Sequence, residues 1–113
     1  MKLSDKQFEF AKMTTLLFQW LINNGYKFTL GDAYRKGDRR CHGRRLAIDI
    51  NLFVLTPVVI QRGHIGIKKM QHRYTRKTSD HLPAGEFWES LGGAWGGRFG
   101  DGNHYSIPHN GYK

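Results

Sequence analysis

The chain has 113 residues, of which 39% are hydrophobic and 13% aromatic. That is enough for a modest core without disulfide staples, and it argues against disorder. A single cysteine excludes an intramolecular disulfide and any metal finger built on two or four cysteines. Eighteen Lys and Arg against nine acids give a formal charge of +9. This calls for an anionic partner, and nucleic acid and bacterial envelope both qualify.

Residues 4–24 read as an amphipathic helix, with Ser4 as its cap, Gln7 at the capping-box position and Gly25 as its stop. Phe10, Met13, Leu17, Trp20 and Leu21 recur at helical spacing and form its buried stripe. The opening MKLSDKQFEF carries acids and no apolar run, so it does not read as a signal peptide. The longest apolar stretch, Leu52 to Ile60, is interrupted by Thr56 and Pro57 and is too short to span a bilayer. The expectation is one catalytic domain over residues 1–113 that starts life in the cytoplasm.

Tyr26–Leu30 reads as a short strand ending at Gly31, and Lys36–Arg45 as a polar, basic loop. Cys41 in that loop reads as a small packing residue rather than a ligand. Arg45–Phe53 alternates: Leu46, Ile48, Ile50 and Leu52 share one face, while Ala47, Asp49, Asn51 and Phe53 share the other. Asp49 therefore sits mid-strand. A carboxylate there is costly, if its face is covered, unless it is paired, bonded or bound to a metal. The simpler reading is a strand with one solvated face.

Val54–Gln61 is apolar and β-branched, and continues or pairs with that strand. Gln61–His81 is basic and polar and reads as a long loop or hairpin, with His64, His72 and His81 as surface residues. Pro83–Leu91 reads as a short helix with Phe87, Trp88 and Leu91 inward. Gly92–Gly100, with Trp95 and Phe99, reads as a loop near a site, and His104–Ile107 as a final strand.

The chemistry lies in His42 and Asp49, followed much later by Asp101-Gly-Asn-His104. Two imidazoles and a carboxylate supply three ligands for a catalytic zinc, leaving a fourth position for water. A spare carboxylate beside that water takes its proton and returns it to the leaving amine. His104 as ligand with Asp101 as base is preferred, because neutral imidazole suits zinc; the swapped assignment stays open. This donor set suits zinc best, although other divalent ions would bind. A cation is also expected near the developing oxyanion or a substrate carboxylate. Arg35, after a predicted strand end, is one candidate among many solvated basic residues.

Four blocks carry a resemblance: Gly31-Asp-Ala-Tyr-Arg35, Cys41-His-Gly-Arg-Arg-Leu-Ala-Ile-Asp-Ile-Asn-Leu-Phe53, Gly85-Glu-Phe-Trp-Glu-Ser-Leu-Gly-Gly93 and Gly100-Asp-Gly-Asn-His-Tyr105. In this order they resemble the D-Ala-D-Ala carboxypeptidase (M15) family of zinc metallopeptidases. The likeness is greatest to its phage-type branch of L-alanyl-D-glutamate endopeptidase endolysins. The resemblance implies an α+β fold of the D-Ala-D-Ala carboxypeptidase and hedgehog type, a small antiparallel sheet flanked by helices. It makes His42, Asp49 and His104 the zinc ligands, Asp101 the base, and Arg35 the arginine that contacts substrate or stabilises the oxyanion. Asp rather than Glu at position 101 resembles the endolysin branch.

The implied function is cleavage of peptidoglycan stem peptides, at the L-Ala–D-Glu bond, by a phage lysis enzyme. Such an enzyme is made in the host bacterial cytoplasm and acts on the cell wall after release. The expected protein is a monomer with no specific nucleic-acid partner and no separate wall-binding module, its positive charge serving as a general attraction to the anionic envelope. Two positions depart from the family pattern: Arg40 stands where a Ser is common, and the stretch between Phe53 and Gly85 is unusually basic. The alternatives are a D,D-carboxypeptidase of the same fold and a basic nucleic-acid-binding domain with Gln61–Lys77 and Tyr74 as its footprint. A catalytically dead relative is a further reading, against which the four filled catalytic positions argue.

Overall fold

The computed structural model covers residues 1–113 and is α+β, with two helices sharing one hydrophobic cluster with a small antiparallel sheet. Helix α1 runs Leu3–Asn23 and buries Phe10, Met13, Leu17 and Leu21. Trp20 is only half-buried and stacks on Tyr26 and on Phe87. The expected capping box does not form. Lys2 is the extended residue at the start, Ser4 lies inside the helix, and no side chain caps it. Gln7 is used elsewhere: its Nε2 donates to the Arg44 carbonyl at 2.9 Å, tying α1 to the chain entering the sheet. Gly25, at φ +80°, turns the chain out of the helix in a conformation that other residues rarely adopt.

The strands are β1 (Lys27–Leu30), β2 (Ala47–Arg62), β3 (Ile65–Thr75), β4 (Ala94–Trp95) and β5 (His104–Ser106). They order as β1-β2-β5-β4, with β3 also on β2. Strand β2 organises the sheet. Its root pairs with β1 and β5, and its outer half pairs with β3 from Leu52↔Thr75 to Arg62↔Ile65. Val54–Gln61 thus continues the predicted strand, and the following basic stretch forms a hairpin about the two-residue turn Gly63-His64. At the root, Leu46, Ile48, Ile50 and Leu52 are all buried. The opposite face is covered there as well: Ala47 is buried and the Asp49 side chain is only 15% exposed. The picture of a strand with one solvated face holds only further out.

Three other expectations are corrected. Helix α2 spans Thr78–Ser90, so Pro83 lies inside it rather than at its first position. Proline there leaves the Ser79 carbonyl without its helical donor, but Ser79 and Pro83 are both exposed and water can serve instead. The Gly92–Gly100 stretch holds β4 and a 3-10 turn at Gly96–Phe99, and the basic loop before β2 holds another at Cys41–Arg44. His81 is buried, not on the surface. Helical spacing lines it up with Ala84, Gly85 and Trp88 on the inward face of α2. Its Nε2 lies 3.3 Å from the Thr75 carbonyl and its Nδ1 3.4 Å from the Tyr105 hydroxyl.

Burial holds the His81 imidazole below its ordinary pKa, outweighing the opposite effects of Thr75 and Asp80. The unfolded chain therefore binds this proton more readily. Stability from His81 is full above about pH 6.5 and is lost as pH falls from there through the folded-state pKa. Thermal melts of metal-free protein should show Tm falling between about pH 7 and pH 5. His81→Gln should flatten that dependence; a variant with the wild-type slope would assign the loss to other groups.

Candidate metal centre

Strand register creates the site. Asp49 on β2 lies directly opposite His104 on β5, so their side chains stand together on one face of the sheet. The backbone of Asp49 is fixed on the other side as well. Its N–H donates to the Asp32 carbonyl at 2.9 Å, and its carbonyl accepts from Gly31 N–H at 2.8 Å. His42 arrives from the 3-10 turn Cys41–Arg44, which closes through Arg45 in the left-handed region (φ 57°). Gly43 is required within that turn, because a Cβ there would sit 1.6 Å from the Asp38 carbonyl oxygen.

The candidate ligand atoms of His42, Asp49 and His104 all lie within 4.8 Å of one another. His42 Nε2 is 3.2 Å from Asp49 Oδ1, and His104 Nδ1 is 3.5 Å from the same oxygen. Both imidazoles are buried. Bonds of about 2.0–2.1 Å around a tetrahedral zinc hold neighbouring ligand atoms about 3.3 Å apart, close to both separations. The donor chemistry agrees. His104 Nε2 lies 3.2 Å from the carbonyl of Lys113, which accepts a hydrogen bond from that nitrogen. In the neutral ring, Nδ1 then carries the lone pair, aimed at a carboxylate oxygen. Two acceptors facing each other need a cation between them. These residues fit zinc.

Burial pushes the Asp49 carboxyl up, but in the metal-free protein, where the His104 and His42 rings act as donors in place of a cation, their hydrogen bonds and charge outweigh it and hold the group well below the usual carboxylate range. Asp49 is thus anionic at neutral pH. Its outer oxygen, Oδ2, is 3.1 Å from Arg35 Nη2. Arg35 is itself held by Asp32, whose Oδ2 accepts from Nε at 2.7 Å, and more loosely by Asp38 at 3.9 Å. Arg35 therefore reaches the centre through the second oxygen of Asp49. Asp32 and Asp38 went unnoticed in the sequence, although acids three residues before and after one arginine were the available signal.

Asp101 is exposed and its carboxylate is not among the three converging groups. It sits in the turn before β5, where its N–H donates to the Gly96 carbonyl and its own carbonyl accepts from His104 N–H. The turn packs so tightly that a Cβ on Gly96 would approach the Asp101 carbonyl oxygen to 2.1 Å. With Tyr74, Thr75, Arg76, Thr78 and Asn103, Asp101 lines a polar cleft at the root of the hairpin. Cys41 is buried, its Sγ 3.4 Å from the Ile107 carbonyl, and takes no part in the ligand set. Arg40 is exposed beside Phe99 and Tyr112. Of the other histidines, His64 is in the hairpin turn and His72 contacts the Gly25 carbonyl.

Fold and cluster together describe a small α+β protein with one candidate metal centre. Residues 35–107, more than half of the chain, match the family model described as D-alanyl-D-alanine carboxypeptidase, and the protein belongs to that M15 family of peptidases. No curated protein and no solved structure matches the chain.

Proposed function

We propose that the protein is a zinc-dependent peptidase that cuts peptidoglycan stem peptides, at the L-Ala–D-Glu bond, as a phage lysis enzyme. The observation that carries this reading is the convergence of His42, Asp49 and His104 in a chain of a peptidase family. When bound, zinc polarises a carbonyl oxygen and acidifies water. The side chains divide the remaining work. Asp49 stays ionised between the two imidazoles, Arg35 fixes its second oxygen, and the Lys113 carbonyl orients the His104 ring. Asp101, exposed and free of the ligand set, holds the proton taken from the attacking water and delivers it to the leaving amine. In this reading the enzyme is made in the cytoplasm of a bacterial host and reaches the wall on release. Asp at position 101 supports the endopeptidase assignment; the description of the matched family model favours the second reading, a D,D-carboxypeptidase.

Mass spectrometry of fragments released from purified peptidoglycan by the zinc-loaded protein tests both. New L-Ala carboxyl and D-Glu amino termini support the endopeptidase. Loss of terminal D-Ala alone makes the enzyme a carboxypeptidase, and no product overturns the proposal.

Arg35 gives a separate prediction. Removing a hydrogen-bond partner of a metal-binding carboxylate weakens metal affinity by about 10- to 100-fold. Arg35→Ala should do so in a chelator-competition titration, with Arg35→Lys intermediate. Unchanged affinity in Arg35→Ala would mean that the contact with Asp49 does not support the centre.

A further inference from the structure

The outer half of the β2–β3 hairpin serves neither the core nor the metal centre. Every residue from Val59 to Gln71 is exposed, and the molecule measures 63 Å along its longest axis against 26 and 21 Å across. A two-stranded ribbon without a third layer gains little from burial in water. Yet its end is rich in aliphatic side chains. Val59, Ile60, Ile65, Ile67 and Met70 are between 38% and 67% exposed. The register places Ile60 opposite Ile67 on one face, while Val59 and Met70 lie diagonally across the other, so both faces of the outer hairpin carry aliphatic side chains interleaved with basic ones.

Around that tip the charge has one sign. From Ile50 to Ser79 the chain holds Arg62, Lys68, Lys69, Arg73, Arg76 and Lys77 and no acid. A second copy would bring like charges together. Single-stranded nucleic acid would call for aromatic platforms among the cations, but the only aromatic of β3 is Tyr74, at the root. An anionic lipid surface matches both features: cations engage the headgroups while aliphatic side chains enter the boundary of the acyl region, about 5–10 Å deep. The exposed ribbon is long enough for this, at about 3.3 Å per residue along each strand. No helix of the protein is long and apolar enough to cross a membrane.

We propose that the β2–β3 hairpin is a docking arm for anionic phospholipid bilayers, with its aliphatic tip seated among the headgroups. This does not rest on the metal centre or on the proposed peptidase activity. The test is co-sedimentation of the full chain with vesicles of phosphatidylglycerol and phosphatidylcholine, and with phosphatidylcholine alone. Two double variants accompany it, Lys68→Glu with Lys69→Glu and Ile65→Ser with Ile67→Ser. All four positions are exposed, and unchanged Tm would verify that the fold persists.

Wild type should partition onto the anionic vesicles only. Each basic side chain near such a surface is worth about fivefold, so reversing two charges should weaken partitioning by about 25-fold or more. The isoleucine variant should also bind at least about tenfold more weakly, through lost apolar burial. Absence of wild-type binding to anionic vesicles would overturn the proposal, whether or not the protein binds short DNA or self-associates. Loss on charge reversal with full retention in the isoleucine variant would overturn the seating of the tip and reduce the contact to charge attraction.

Discussion

Asp101→Ala is expected to keep one zinc per chain and to lose peptidase turnover by about 10²- to 10⁴-fold, the usual contribution of a positioned acid–base group. His42→Ala and His104→Ala should lose both metal and turnover. The contrast follows from placement. His42 and His104 are buried and aimed at one oxygen of Asp49, so removing either takes away one of three candidate ligands. Asp101 is exposed, contributes no atom to that cluster, and is held by backbone hydrogen bonds that alanine would preserve. Metal content and fragment release, measured on the same preparations, check the pair. Near-full turnover in Asp101→Ala would mean that another group is the base. Loss of zinc in that variant would make Asp101 a ligand.

Trp88→Ala should be the most damaging core substitution, at about 3–5 kcal/mol. Trp88 is fully buried and meets Phe10 and Tyr105 edge to face. Its Nε1 donates to the Ser106 carbonyl at 2.9 Å, on the strand that also carries His104. Truncation leaves a cavity between α1, α2 and β5 and strands a buried carbonyl. Against the roughly 5–15 kcal/mol that stabilises a typical domain, that is a large share. Urea denaturation of metal-free protein measures it. Trp88→Phe should cost less, since it keeps most of the ring volume and loses the donor. A loss under about 1 kcal/mol for Trp88→Ala would contradict the central place given to this side chain.

What could be read from the sequence follows from which signals are local. The α1 stripe and the alternation through Asp49 are short-range periodicities, and both appear in the structure where expected, although Trp20 is only half-buried. Conflicts arise where tertiary contacts outrank local preference. Gln7 leaves a capping box to hold Arg44, and Pro83 is taken inside a helix that buries His81. The Gly-rich stretch looked like a loop because its glycines suggest freedom; Gly96 is there because the chain before β5 passes too close for a side chain. The pairing of Asp49 with His104 depends on strand register between distant segments, which neither local pattern contains. The same holds for the Lys113 contact that orients His104. The residue blocks named the candidate ligands, while only the fold shows which of their atoms face one another.

The most direct test is zinc K-edge X-ray absorption on protein loaded with one equivalent of zinc, beside Asp49→Ala. The account predicts two imidazole nitrogens and a carboxylate oxygen at about 2.0–2.2 Å in the wild type. It also predicts loss of tight binding when Asp49 is removed. Equal zinc uptake with an unchanged spectrum in Asp49→Ala would place the metal elsewhere and contradict the account.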